Sequence, residues 1–267
     1  MNKIKQNKIT FTLILAAISI IFSSLTILCL PVLFNYKSKV TILEKNFYKN
    51  FKIYLKSSAN VSYKPFPKPH LLVEKASINL SQSKENDDLI NTANLKIFIS
   101  LRDIYLRTFS NLVSTEISNT NLYFDLSDIK EVRKHLYQKI NKPILFNNCK
   151  IFINNKKNEV ILIAPLKKIS YKINKKSKIK NFDIFGEIFG LNFKSEWRRN
   201  YSIPDQSFHS LNIFNPNIEI KNIFKSKKNK KFNVNSKIIY ANDKSEYDLE
   251  FNKNKIEIIY LNKKNTN

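Results

Sequence analysis

The stretch TANLKIFISL, residues 92–101, alternates strictly. Ala93, Leu95, Ile97, Ile99 and Leu101 fall in one phase, and Asn94, Lys96, Phe98 and Ser100 in the other. A period of two is the signature of a strand with one face in a core and one in water. The same period recurs outward from this stretch. In KISYKIN, residues 168–174, Ile169, Tyr171 and Ile173 oppose Lys168, Ser170 and Lys172. In FGLNFKSEWR, residues 189–198, Phe189, Leu191, Phe193 and Trp197 oppose Asn192, Lys194, Glu196 and Arg198. Phe232, Val234, Ile238 and Tyr240 share a phase, and Tyr247, Leu249 and Phe251 alternate with Asp248 and Glu250. These residues define a candidate apolar face: Leu95, Ile97, Ile99, Ile169, Tyr171, Ile173, Phe189, Leu191, Phe193, Phe232 and Val234. Repeating strand-helix units are absent from the pattern, which argues against a parallel α/β fold.

The expected fold is therefore mainly β: one N-terminal transmembrane helix, then a long antiparallel curled sheet or groove with a few short helices. Such a sheet can close on itself as a sandwich or barrel, or curl around an apolar ligand. The periodicity is the same in both cases. Short helices are expected near Arg102–Phe109 and near Asp128–Ile140, where Ile129, Val132, Leu136 and Ile140 recur at helical spacing. Gly186 and Gly190, the two glycines of the chain, bracket an expected bend or bulge between strands.

Residues 9–36 contain no charged side chain. A bilayer core needs about 20 apolar residues in a helix, so this run is long enough to span. It exceeds the apolar core of a signal peptide and ends on bulky residues, Leu28-Cys29-Leu30-Pro31-Val32-Leu33-Phe34, which favours an uncleaved anchor. Lys3, Lys5 and Lys8 precede it, placing residues 1–8 in the cytoplasm and the long domain across the membrane. In residues 37–56, Val40, Leu43, Phe47, Phe51 and Leu55 follow helical spacing. This amphipathic helix has two open placements, on the membrane surface or as the first core element of the domain.

The net charge is +25. The lysines are spread along the chain and interleaved with Asn and Ile, which argues against a nucleic-acid footprint. Local runs such as Lys175-Lys176-Ser177-Lys178 and Lys225–Lys231 fall where turns belong and read as solvated loops. Cys29 and Cys149 lie far apart in character, one inside the apolar span, so no disulfide is expected. His70, His135 and His209 form no metal-binding spacing, and Glu131 with His135 reads as a surface pair. Asp87-Asp88 belongs to a polar loop. A phosphate-cradling glycine loop and a nucleophile elbow are both missing from the sequence. The residues thus give no ground for an enzyme, a metal or another cofactor.

Between the amphipathic helix and the first alternating strands stands SYKPFPKPH, residues 62–70. Pro65, Pro67 and Pro69 fix φ and remove three backbone donors, so a strand cannot run through them and the chain must turn. The succession of one apolar span, an amphipathic helix, the corner Phe66-Pro67-Lys68-Pro69, the strand Leu72–Leu80 and the strand Ala93–Leu101 resembles the N-terminal region of the AsmA family. Arg102–Leu106 would then be the family's short helix, and Leu112–Ile117 with Asn121–Leu126 a strand pair. The resemblance covers roughly residues 1–127 and makes 57–141 an AsmA-like β region, with 142–267 a C-terminal β-strand region. It implies an inner-membrane anchor, a periplasmic domain and a role in outer-membrane assembly. Longer members are described as curled β-grooves carrying phospholipid acyl chains, so phospholipid and other envelope proteins are the implied partners. About a dozen strands spaced about 4.8 Å apart give a groove of about 60 Å, short for bridging two membranes alone.

Overall fold

The computed structural model describes residues 2–79, 90–125, 140, 142–155, 159–203, 205–226, 232–241, 243–252 and 255–262. It opens with helix α1 (Asn2–Cys29), continued by a 3₁₀ turn over Leu30–Leu33. Within this region Phe11–Leu33 is long and apolar enough to cross a membrane. Helix α2 (Val40–Phe51) follows, then one sheet interrupted only by helix α3 (Leu101–Leu106) among the described residues.

The sheet contains β1 (Tyr54–Lys64), β2 (His70–Asn79), β3 (Ile90–Ile99), β4 (Leu112–Asp125), β5 (Ile144–Asn154), β6 (Val160–Asn174) and β7 (Ile179–Ile188). It continues through β8 (Leu191–Asn200), β9 (Gln206–Phe214), β10 (Asn217–Ser226), β11 (Phe232–Tyr240), β12 (Asp243–Asn252) and β13 (Lys255–Asn262). These 13 strands lie side by side in chain order. Among the described residues β1 pairs only with β2 and β13 only with β12, so the sheet is open and does not close into a barrel. Every pair is antiparallel except β4 and β5, which run parallel. A parallel step needs a connection of a dozen or more residues, and the chain between Asp125 and Ile144 is long enough for one. The alternation that identified the strands is blind to this reversal of direction.

Residues paired across a ladder share a face. On that rule one apolar face runs through the sheet: Val73 faces Leu95, Leu95 faces Ile117, and Ile117 faces Phe146. Phe146 in turn faces Ile169, and Ile169 faces Ile184. At the β1–β4 end this face is a closed core. Helix α2 lies on β1 and β4, with Leu43, Phe47 and Phe51 at 1% exposure or less. Of its two expected placements, α2 takes the core. The left-handed backbone of Lys52 ends it, and Leu55 belongs to β1 instead of the helix.

Helix α3 is capped by Ser100, whose Oγ accepts from the Asp103 N–H at 3.2 Å. The Asp103 carboxylate accepts from the hydroxyls of Ser100, Thr108 and Ser110 at 2.7–2.8 Å. This knot seats Ile104 and Phe109 in the core, where both are buried. The carboxamides of Asn46 and Asn50 donate to the carbonyls of Thr108 and Ser110 and stitch α2 to the same loop. The anchor is tied in as well. The Tyr63 hydroxyl donates to the Leu28 carbonyl at 3.0 Å, and the Tyr105 hydroxyl donates to that of Ile27.

Several sequence expectations need correction. The expected strand pair Leu112–Ile117 and Asn121–Leu126 is, as far as Asp125, the single strand β4, in which Asn119 takes a positive φ and the alternation resumes without a turn; Leu126 falls outside the described residues. Leu101 opens α3 and is not a strand residue. Phe189 also lies outside the strands. With φ +51 at Phe189 and +78 at Gly190, these two form a tight hairpin turn between β7 and β8. Gly186, expected with Gly190 at a bend or bulge between strands, lies inside β7 beside the register shift between Leu166 and Lys168, where a Cβ would stand 2.3 Å from Leu166 Cδ2 and 2.7 Å from the Pro165 carbonyl oxygen. Its glycine is required by the close approach of β6. The helix expected over Asp128–Ile140 falls outside the described residues, apart from Ile140 itself.

Candidate functional site

The proline corner lies where the sequence places it, between β1 and β2, with a cis bond between Phe66 and Pro67. Pro65 and Pro69 are half-buried and Pro67 is exposed. His70, at the start of β2, is buried, and its Nδ1–H donates to the Lys68 carbonyl at 2.7 Å. This closes the corner onto the sheet.

The candidate apolar residues fall into distinct environments along one face. Leu95, Ile97 and Ile99 on β3 are buried beneath the helices. Ile169 and Tyr171 on β6 are also buried, and the Tyr171 hydroxyl donates to the Ile140 carbonyl at 2.9 Å. Ile173 and Phe193 are half-buried and pack against the same core. Val234 on β11 is 4% exposed. Phe232 starts β11 opposite Phe251, and its side chain lies outside the described residues. Leu191, next to the hairpin turn, is 40% exposed, and Phe189 in the turn is 83% exposed. Both sit at the rim. Phe189 is displaced from the face because a positive φ in a two-residue turn breaks the strand phase.

The described helices all lie at the β1–β4 end. From β7 onward the inner side chains are mostly half-buried by one another. Across β6 to β10 this face is graded along the strands. The rung nearest the β6–β7 turn holds Ile173, Lys180, Arg199, Ser207 and Phe224. The next holds Tyr171, Phe182, Trp197, His209 and Asn222. Beyond it come Ile184, Ser195, Leu211 and Ile220, then Gly186, Phe193, Ile213 and Ile218 toward the Phe189-Gly190 turn.

The second rung carries a polar node inside an apolar surface. Ser195 Oγ is 3.0 Å from His209 Nε2, and Asn222 Nδ2 is 3.1 Å from His209 Nδ1. Trp197 stacks on His209 with centroids 4.1 Å apart and lies 5.5 Å from the Phe224 ring. Burial lowers the His209 pKa, which favours the neutral imidazole. With the carboxamide nitrogen donating to Nδ1, Nε2 carries the proton and donates to Ser195 Oγ. The backbone flanks of Ser195 are occupied by the β7 and β9 ladders. The node therefore satisfies buried polar groups and fixes the Trp197 ring.

Two cations face this surface. Lys180 and Arg199 are direct register partners, both half-buried. Burial, and then the neighbouring Arg199 charge, lowers the Lys180 pKa. The inner rungs of β6 to β10 named above carry no carboxylate. The acids of β7 and β8 lie on the outer face, where Glu196 sits between Lys194 and Arg198. Its carboxyl is held below the usual range chiefly by the Lys194 hydrogen bond.

The sequence reading missed Lys180, Ser195, Arg199, His209 and Asn222. The available signal was a polar residue standing in the apolar phase, as Ser195 does between Phe193 and Trp197 in FKSEWRR. Among the described residues no cluster of His, Cys, Asp and Glu suits a metal ion. The burial of Cys149 pushes its thiol up to about 11. No protein-family model matches the chain, and no curated protein matches it.

Proposed function

We propose that this chain is an AsmA-like protein of the inner membrane, anchored by α1 with its sheet in the periplasm. Its apolar sheet face holds or passes phospholipid acyl chains in support of outer-membrane assembly. The observation that carries the reading is one apolar rung running from β2 to β7, covered by α2 at the anchor end, in a sheet whose far edge does not close on β1. Buried apolar area stabilises a fold by roughly 25 cal/mol per Å². A half-covered apolar surface therefore gains from an apolar occupant. The anchor, long enough to span, puts that surface next to a source of acyl chains. The test is to purify the full chain in detergent, extract it for lipid analysis and titrate it with a fluorescent phospholipid. Co-purified phospholipid and saturable binding are expected. A lipid-free protein that binds none ends the reading.

A second reading, a membrane-tethered scaffold that recruits an envelope partner, draws on one feature of the outer face. Tyr123 stacks on Phe152 at 5.0 Å, and Phe152 faces Ile163, with Tyr123 and Ile163 both exposed. Such an exposed apolar cluster suits a protein contact. Phe152→Asp would abolish partner recruitment under this reading and leave lipid binding intact.

A further inference from the structure

We propose that the anchor end of the domain is seated in the bilayer that α1 crosses. The proline corner and helix α3 press Phe66, Leu101 and Leu106 into the lipid interface, and tyrosines of the domain cap the end of the span. The inference rests on α1 as a membrane span and needs no lipid in the groove.

Three observations carry it. First, the domain grips the span short of its end. Phe11–Leu33 counts 23 residues, about 35 Å at the rise of a helix, against about 30 Å for a bilayer core. Ile27 and Leu28 precede Leu33 by up to about 8 Å and so belong within the apolar layer. Helix α1 ends at Cys29, which leaves its last four carbonyls without helical partners. In hydrocarbon an orphan carbonyl is costly. The Leu28 and Ile27 carbonyls accept from the hydroxyls of Tyr63, at 3.0 Å, and Tyr105. The Tyr36 hydroxyl donates to the Pro31 carbonyl at 2.8 Å. Phe34 meets the Tyr105 ring edge-on at 5.8 Å, with Arg107 Cζ 4.5 Å from its centroid. Tyr63 and Tyr105 can hold those carbonyls only by sitting at the interface themselves, where an amphipathic ring is favoured.

Second, the parts of the domain next to these tyrosines expose apolar side chains. Helix α3 buries Asp103 and Ile104 and turns Leu101, Arg102 and Leu106 outward. Leu106 is 60% exposed, on the side where a helix in water carries polar residues. Phe66, 56% exposed, lies in the corner that Tyr63 leads into. His70 pairs with Phe98, so the corner before His70 and the helix after Phe98 leave the sheet at the same end. A single exposed apolar residue is ordinary. Here they stand on two separate connections, at the end of the sheet that is bonded to the span.

Third, the surrounding charge suits a phospholipid surface. Lys64, Lys68 and Arg102, all exposed, neighbour these apolar residues in the chain. The one acid within residues 62–70 and 100–111 is Asp103, which is buried and bonded to three hydroxyls. Apolar side chains flanked by cations match the boundary between acyl chains and phosphates. A net charge of +25 disfavours a second copy of the chain as the occupant. The domain thus rides on the bilayer without a stalk.

The test uses the full chain in vesicles of phosphatidylcholine and phosphatidylglycerol. In a Cys29→Ser background, Phe66→Cys or Leu106→Cys carries an environment-sensitive fluorophore, and the background without an added cysteine sets the blank. Leu30→Cys, in the span, and Phe189→Cys, in the exposed β7–β8 turn, give the two limits. Lipid bearing a nitroxide near the ester is expected to quench positions 66 and 106 nearly as strongly as position 30. Iodide in the buffer is expected to quench them far less than position 189. Labels open to iodide and untouched by the nitroxide would show the domain held off the membrane and overturn the proposal. Labels shielded from both would show a protein on the patch and overturn it equally. Release of the chain by alkaline carbonate would overturn the anchor and the seat together. Nitroxide quenching at 66 and 106 in a chain that binds no phospholipid in its groove would uphold the seat while the groove reading fails.

Discussion

Trp197 and His209 stack on the inner face of the sheet with ring centroids 4.1 Å apart and planes 26° from parallel. Burial depresses the histidine pKa below its ordinary 6.5, so at neutral pH the pair consists of two neutral rings. A depressed histidine binds fewer protons folded than unfolded. Its contribution to stability is complete above pH 6.5 and declines as pH falls from there toward the folded value. The thermal midpoint should drop as pH is lowered below 6.5 in the wild type and drop less in His209→Gln, measured by circular dichroism. Trp197 emission should change over the same range only in the wild type.

Phe47 is the centre of the seal between α2 and the sheet, 1% exposed and 4.6 Å from the Phe51 ring. Phe47→Ala should lower unfolding free energy by about 3–5 kcal/mol, the usual cost of removing a buried phenyl ring. Denaturant titration of the full chain checks this. A loss below about 1 kcal/mol would mean that α2 is not a core element.

Asp103 gathers the hydroxyls of Ser100, Thr108 and Ser110. Burial by itself would raise its carboxyl, but these hydrogen bonds together outweigh that effect and hold it below 3.8. The stability it contributes is complete above pH 3.8 and disappears as pH falls through the lowered value. Asp103→Ala should cost about 1–3 kcal/mol at pH 7 by orphaning buried donors. The gap between variant and wild type should close in strong acid.

Gly186→Ala places a methyl group against the Leu166 side chain and the backbone of Pro165. The backbone contact cannot rotate away, so β6 and β7 must separate, at a cost of about 1–3 kcal/mol. Gly190→Ala meets no neighbour within 4 Å but must hold φ +78. It should cost about 1 kcal/mol through backbone strain alone. Melting of the two variants distinguishes packing from strain.

Burial that pushes the Cys149 thiol up to about 11 leaves it protonated at neutral pH. In a Cys29→Ser background, a thiol reagent should label Cys149 only under denaturing conditions. Rapid labelling of the native protein would place the β4–β6 core in an open state.

Much of the sheet is legible in local sequence. The phase of Leu95, Ile97 and Ile99, or of Ile169 and Tyr171, follows from alternation because a strand turns successive side chains to opposite faces whatever it pairs with. Alternation fails where backbone dihedrals depart from the strand, as at Phe189, whose phase on paper continues a strand that the turn has ended. It also hides the members of the polar node. Ser195, His209 and Asn222 are unremarkable on separate strands and become a unit only when β8, β9 and β10 pair in register.

The sequence alone determined the apolar span, the turn forced by Pro65, Pro67 and Pro69, and which side chains share a strand face. Each depends on a few neighbouring residues: chain length in a helix, the locked φ of proline, the two-residue period of the pleat. Tertiary structure decided the rest. It put α2 into the core when its amphipathic pattern also suited a membrane surface. It made β4 and β5 parallel, left the ladder open, and brought Lys180 opposite Arg199. Those outcomes depend on which strands become neighbours and what covers them, a competition among distant segments that local periodicity does not encode.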